Sequence, residues 1–276
     1  MLTNNRNKYV SPFIKWAKDE KHLLNEIEKY IPGKFTSYRE PFLGGGALLF
    51  HIQPQNAVLN AVNNELVNLY TVIRDKVELL IDDLKKHVNE KEYFYNIRSF
   101  DRNGKIDELS DVERASRIIY LNKTCFNGFF KTNECGQFDA PFGSYKNPKI
   151  VNKIILRSVS EYFNKNNITF TNTSFEDALH DIEKGAFVYL APPYVPVSDN
   201  SKFANGFTRE DHMKLRELCD YLTSREINFL LSNSSDSFVH DLYRDYNIEI
   251  IEIGRNINSI SSKRGQIEEV LIRNYK

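Results

Sequence analysis

The stretch AFVYLAPPYVPVS, residues 186–198, decides how the rest of the chain is read. Its hydrophobic run, Phe187 to Leu190, is rich in β-branched and aromatic residues and predicts a buried strand. Pro192 and Pro193 lack the N–H groups that would extend a ladder, so the chain must leave the sheet there. Tyr194 then stands on a stiff exit loop. In open α/β sheets, ligands bind at the carboxyl ends of the strands. The residue in front of that loop, Ala191, carries no polar group.

Working outward, short strand-like runs occur at 36–41, 57–62, 168–172, 186–190, 228–232, 248–253 and 269–273. Helix-like segments occur at 21–30, 47–52, 64–84, 111–121, 209–223 and 236–243. Such alternation predicts an α/β fold with a mostly parallel sheet and helices on both faces. The alternation breaks between residues 64 and 165, which is too long for one crossover and is read as an insert. Residues 1–63 and 166–276 would then form the main domain, and 64–165 a helical and loop-rich subdomain.

Composition narrows the classes. Apolar residues make up 41% and charged residues 27%, as in an ordinary globular protein with ample core. The formal net charge of zero argues against a strong nonspecific polyanion binder, although a local basic face remains compatible with it. Met1 to Val10 is polar and charged, unlike a signal peptide or membrane span. Cys125, Cys135 and Cys219 form no CxxC pair and no His cluster accompanies them, which predicts a reducing cytoplasm and no metal site.

The second ligand-bearing feature is YREPFLGGGALLF, residues 38–50: a strand, the turn from Pro41 to Gly46, then a helix. Glycines permit positive φ and close approach of the backbone to a ligand. The pattern is neither GxGxxG nor a P-loop, and a tight turn with no ligand fits it equally well. NAVLNAVNNELVNLY, residues 56–70, is a second strand running into a helix. Nucleotide-binding folds place an acidic residue at the end of that strand, for the ribose hydroxyls. Here the position holds Ala61.

In their order, the PF-GGG turn, the strand ending near Ala61 and the xPPY loop resemble the DNA adenine N6-methyltransferases of the Dam type, including GATC-modifying enzymes of restriction systems. The likeness runs from SPFIKWA, residues 11–17, to EEVLIRNY, residues 268–275. Also similar are Cys125-Phe126-Asn127-Gly128, Asn133, the stretch from Phe138 to Lys146, LSNSS at 231–235 and RNINSISSKRG at 255–265. The resemblance implies a Rossmann-like S-adenosylmethionine-dependent methyltransferase sheet, the insert serving as a DNA-recognition subdomain. It implies double-stranded DNA as partner, with an adenine flipped out of the duplex and stacked on Tyr194. Pro192 and Pro193 complete that loop, whose acid and a proline carbonyl accept hydrogen bonds from N6. The cofactor would be held by Lys15, Trp16, Pro41, Phe42, Gly44, Gly45, the residue at 61, Ser174 and Phe175. DNA would be met by Lys123, Asn127, Lys131, Asn133, Tyr145, Lys146, Arg255, Asn256 and Arg264. No metal is implied, because the sulfonium supplies its own leaving group.

The departures fall on chemistry. Ala191 replaces the Asp of DPPY, and Ala61 replaces the ribose Asp. Lys18-Asp19-Glu20 stands where the family has Gly-Gly-Lys, near the methionine end of the cofactor. On the DNA side, Cys135 and Ser144 occupy places often cationic, and Asp139-Ala140 replaces Asn-Val, which removes cations or adds an anion toward an anionic partner. The expectation is a family member with lost or severely impaired catalysis and weak or absent cofactor binding. Two alternatives stand beside it: an active or weakly active methyltransferase, and a non-enzymatic DNA-binding module.

Overall fold

A computed structural model describes residues 6–16, 23–133, 135–196, 207–254 and 266–276. The strands are β1 (Tyr38–Glu40), β2 (Asn56–Asn60), β3 (Asn167–Thr171), β4 (Phe187–Leu190), β5 (Asn228–Ser234), β6 (Asn247–Gly254) and β7 (Gln266–Arg273). They form a seven-stranded sheet in the order β3-β2-β1-β4-β5-β7-β6. β1 with β4, β4 with β5, and β2 with β3 pair in parallel. β7 runs antiparallel to both β5 and β6. All seven predicted strands are present, with ends shifted by a few residues.

The chain divides into two compact units: one holds the described residues of 22–42 and 174–276, the other those of 2–21 and 43–173. In the first, α8 (Arg209–Ser224) and α9 (Ser237–Leu242) cover β4, β5 and β7. Val188, Leu190, Phe229, Leu231, Val270 and Ile272 face Leu215, Cys219, Leu222 and Val239, and all are buried. β4 is buried along its whole length, so its sequence is continuously apolar rather than alternating.

The second unit is mostly helical: α2 (Ala47–Ile52), α3 (Asn64–Asp75), α4 (Val77–Leu84), α5 (Lys91–Arg98), α6 (Asp111–Thr124) and α7 (Lys153–Lys165), with the short α1 (Leu24–Glu28) belonging to the first unit. Phe13, Phe50, Tyr70, Phe163 and Phe170 form its aromatic centre, with edge-on and tilted ring contacts. α6 begins with a reciprocal capping box between Ser110 and Glu113. Residues 64–165 contribute none of the named strands.

Two features differ from the sequence reading. The single helix expected over 64–84 is two, broken at Lys76, whose φ of −137° and ψ of 33° are not helical. The Lys76 N–H closes α3 on the Val72 carbonyl, and its own carbonyl accepts from Leu80 to open α4. The break lets both α3 and α4 pack on α6. α5 and α7 were not foreseen. In α7, Leu156, Val159, Tyr162 and Phe163 are buried along one stripe at helical spacing.

Two imidazoles are held neutral in the fold. His87 lies between the Tyr93 hydroxyl, 2.9 Å from Nδ1, and the Ser116 hydroxyl, 3.0 Å from Nε2. Hydroxyls can donate or accept, so either neutral tautomer is satisfied. Burial pushes His87 down to about 4, against an upward pull from Asp83. Burial likewise pushes His212 down to about 4. The unfolded chain therefore binds more protons than the fold between pH 6.5 and about 4. Stability should be complete above that window and fall as pH drops through it. Urea midpoints at about pH 7 and about pH 4.5 should differ for the native chain, and by less for His87→Gln, which cannot titrate.

Candidate active site

The xPPY loop leaves β4 in the first unit. Ala191 is half-buried, Pro192 buried, and Pro193 and Tyr194 half-buried. Side chains of β5 meet the backbone just beyond Tyr194. The Val195 N–H donates to Asn233 Oδ1 at 3.1 Å, and Ser234 Oγ donates to the Val195 carbonyl at 2.7 Å. Both are polar groups inside a buried strand, 0% and 4% exposed. The Tyr194 hydroxyl donates to Glu269 Oε2 on β7 at 2.9 Å. In the same unit, Phe42 stacks on Phe175 with ring centroids 5.3 Å apart, and Ser174 Oγ caps the following turn by accepting from the Asp177 N–H. Two of the expected cofactor residues, Phe42 and Phe175, are thus brought together, and Phe207 closes on both.

The glycine turn continues into the second unit. Gly46 is the N-cap of α2 in the left-handed region, φ 68°. A Cβ there would lie 2.9 Å from both the Phe50 ring and the Tyr70 hydroxyl. A Cβ on Gly44 would come within 3.0 Å of the Trp16 indole, and one on Gly45 within 3.4 Å of the Ile14 carbonyl. The glycines therefore serve close packing against residues 14–16 as well as the turn itself. Trp16 in turn lies flat on Phe130, centroids 4.1 Å apart and 8° from parallel.

At the end of β2, Asn60 is 1% exposed. Its Oδ1 accepts from the Thr173 N–H and the Thr171 hydroxyl, and its Nδ2 donates to the Thr173 carbonyl. Ala61 is 4% exposed, so its methyl is packed, while the next side chain, Val62, is 75% exposed. Asn172 Nδ2 donates to the carbonyls of both Ala61 and Val62, at 2.7 and 2.9 Å. No carboxylate occupies the position at which the family resemblance expects one for the ribose.

Of the expected DNA-contacting residues, Lys123 lies in the last turn of α6, and those from Asn127 to Lys146 lie on the segment that follows, which arginines help to hold. Arg117, 4% exposed, pairs with Asp101 and donates to the Ile97 carbonyl. Burial pulls its pKa down while Asp101 raises it. Arg98 and Arg102 donate to the carbonyls of Ala140 and Phe138. Asp139, read as an added anion, lies 3.7 Å from Arg102, which partly answers its charge. Asn133 is occupied within the loop, its Oδ1 accepting the N–H groups of Cys135 and Gln137. Asn122 holds Lys15 on both sides: Oδ1 accepts its N–H at 3.0 Å and Nδ2 donates to its carbonyl at 2.6 Å. A pocket of about 260 Å³ results, lined by Lys15, Asn122, Lys123, Asn127, Gly128, Tyr145 and Pro148. It joins Lys15, expected at the cofactor, to Lys123, Asn127 and Tyr145, expected at DNA. Lys131 and Lys146 are exposed. Lys18, Asp19, Glu20, Arg255, Asn256 and Arg264 lie outside the described residues.

Sequence reasoning passed over Asn122, Asn172, Asn233 and Glu269. Asn233 and Glu269 left one signal, a polar residue close beside the apolar run of a strand, Phe229 to Leu231 in β5 and Val270 to Ile272 in β7. Among the described residues no group of three or more His, Cys, Asp or Glu could hold a metal ion, and no helix is long and apolar enough to cross a membrane.

Comparison with known proteins gives the family. Residues 21–257 match the D12 class N6 adenine-specific DNA methyltransferase family. The chain is 44% identical to the type II methyltransferase M1.LlaDCHI of Lactococcus lactis subsp. cremoris, over 96% of each chain. It is 33% identical to the type II methyltransferase M.MjaIII of Methanocaldococcus jannaschii, over 96% of this chain and 99% of the relative. It is 27% identical to the DNA adenine methylase of Escherichia coli K12, over 94% and 93%. The chain belongs to the D12 class of N6 adenine-specific DNA methyltransferases, and its sheet is the Rossmann-like sheet of that family. Membership implies DNA as substrate and S-adenosylmethionine as methyl donor.

The packing at Gly46 has a direct consequence. Gly46→Ala combines a left-handed backbone with a clash, and should cost about 1–3 kcal/mol or more. Gly33→Ala meets nothing within 4 Å and should be near neutral. Denaturant midpoints of the two variants test the difference.

Proposed function

We propose that this chain is a homologue of the GATC-type adenine N6-methyltransferases whose methyl transfer is lost or severely impaired, with S-adenosylmethionine bound weakly or not at all. The observation that carries this reading is the pair of apolar methyls, Ala61 and Ala191, at the carboxyl ends of β2 and β4. Neither can accept a hydrogen bond. The Ala61 carbonyl already accepts from Asn172. The residues at the end of β2 therefore fit the ribose of the methyl donor poorly, whereas the glycine turn is intact.

Each lost charge-assisted hydrogen bond at the ribose is worth roughly 1.5–3 kcal/mol, about ten- to a hundredfold or more in affinity. At the loop, Tyr194 offers a face on which an extruded adenine stacks. The acceptor that would orient N6 is missing at 191, and removing a preorganised group of this kind costs about 10²–10³ in rate. The insert, residues 64–165, is the target-recognition part in this reading. Lys123, Asn127, Tyr145 and Lys146 meet the phosphates and base edges of duplex DNA. With Cys135 unable to make a bidentate contact to guanine, discrimination for GATC is poor and binding falls steeply with salt.

Transfer of labelled methyl from S-adenosylmethionine to a GATC duplex tests the reading. The native chain and Ala191→Asp alone should show little or no turnover. Restoring Ala61→Asp, Ala191→Asp and Gly-Gly-Lys at 18–20 together should recover it, with calorimetry showing tighter cofactor binding. Native turnover within about tenfold of the restored chain would overturn the proposal.

A further inference from the structure

Asn122 lies in the last turn of α6 and is 2% exposed. Its planar amide spans two segments that are far apart in the sequence. Oδ1 accepts the Lys15 N–H at 3.0 Å, while Nδ2 donates to the Lys15 carbonyl at 2.6 Å and to the Gly128 carbonyl at 2.8 Å. A primary amide has two N–H donors, and both are taken. Buried and fully engaged as a donor, Asn122 has little to offer a ligand directly. Any part it takes in binding runs through the segments it holds.

One of those segments carries strain. Asn127 has φ 61° and ψ −3°, a left-handed setting inside the short turn Phe126–Gly128. Asparagine tolerates that region better than most residues, yet such a setting persists only where the surroundings fix it. The Asn127 side chain does not fix it, being exposed and without a hydrogen-bond partner among the described residues. The turn is held through its backbone instead. The Gly128 carbonyl accepts from Asn122, the Gly128 N–H donates to the Cys125 carbonyl at 3.0 Å, and the Phe126 N–H donates to the Pro141 carbonyl at 2.8 Å. Just beyond the turn, the Phe130 N–H donates to the Lys15 carbonyl at 3.2 Å and Trp16 lies flat on Phe130. Asn127 thus lines the same pocket as Lys15, Lys123 and Tyr145, with its own amide uncommitted. We propose that Asn122 is a positioning residue for duplex binding: it ties the turn to residues 15 and 16, and so holds Asn127 in the left-handed setting from which it meets DNA. The proposal rests on the reading that residues 123–146 meet DNA, and adds to it a buried residue that itself touches no nucleotide.

Binding of a fluorescein-labelled GATC duplex to the full-length chain, read by anisotropy from low salt upward, provides the test. Asn122→Ala and Asn127→Gly should each weaken binding about tenfold, the scale of one base contact. Because Asn122 acts through Asn127, the double variant should bind within about twofold of either single one. Losses that multiply to about a hundredfold in the double variant overturn the inference, as does native affinity in Asn122→Ala. Trp16 is the only tryptophan, so its emission reports the other end of the tie. In Asn122→Ala that emission should move to longer wavelength, and an unchanged spectrum also overturns the inference. Asn122→Asp keeps the acceptor for the Lys15 N–H and loses both donors, so it should behave as Asn122→Ala does. It decides the matter if circular dichroism shows the alanine variant to be unfolded. If neither variant folds, residue 122 is a folding determinant and the positioning role falls. Lys146→Ala separates this inference from the reading beneath it. It should weaken binding and lower the salt slope by about one, whereas Asn122→Ala should leave the slope as it is. If Lys146→Ala and Asn127→Gly both bind as the native chain does, the DNA reading fails. If both weaken binding and Asn122→Ala does not, the positioning role alone fails.

Discussion

Where a parallel strand stops, its last N–H and C=O groups lose their ladder partners, and the fold must supply others. This chain answers with short polar side chains placed at the strand ends. Asn60 bonds Thr171 at the end of β3 and Thr173 beyond it, Asn172 caps the carbonyls of Ala61 and Val62, and Asn233 and Ser234 take both polar groups of Val195. These bonds make the ends of β2 and β4 definite places rather than frayed loops. They do so without any of the groups that would carry chemistry, so the scaffold at each strand end is independent of the residue displayed there.

That independence means that the bonds shaping the ends of β2 and β4 do not depend on the side chains at 61 and 191. Ala61 is packed and Ala191 half-buried, and neither contributes to the hydrogen bonding that shapes its surroundings through its side chain. An aspartate at either place would have to be tolerated in a partly dry setting and stabilised by a ligand or by neighbouring donors. An alanine makes no such demand. Active-site groups are commonly kept at some cost to stability, so the residue at such a position and the fold that displays it can vary separately.

Much of the sheet was legible because its strands are short apolar runs bounded by proline, glycine and asparagine, and the xPPY and glycine turns were legible because their residue types restrict the backbone. The break at Lys76 was not, since neither glycine nor proline marks it; it follows from packing two helices on α6. α7 was passed over among asparagines and lysines, although its apolar stripe was present. The role of Asn122 was invisible because its partner, Lys15, is 107 residues away in the chain. Asn133 was chosen as a candidate for contact with DNA, and the structure occupies its side chain in a local turn, a use that a single asparagine in a loop does not announce. The candidate site was read from the order of its motifs, and the residues that support it were recoverable only from the fold.

The placement of β7 between β5 and β6 bears on how the chain is made. β6, residues 247–254, has β7 as its hydrogen-bonded neighbour, and β7, residues 266–273, comes later in the chain. Until β7 is in place, the edges of β5 and β6 that will face it have no partner strand. Each then offers an open edge, the kind of surface that pairs with other chains. Arrival of β7 closes both edges in one step, so this strand completes the sheet from within rather than extending its rim.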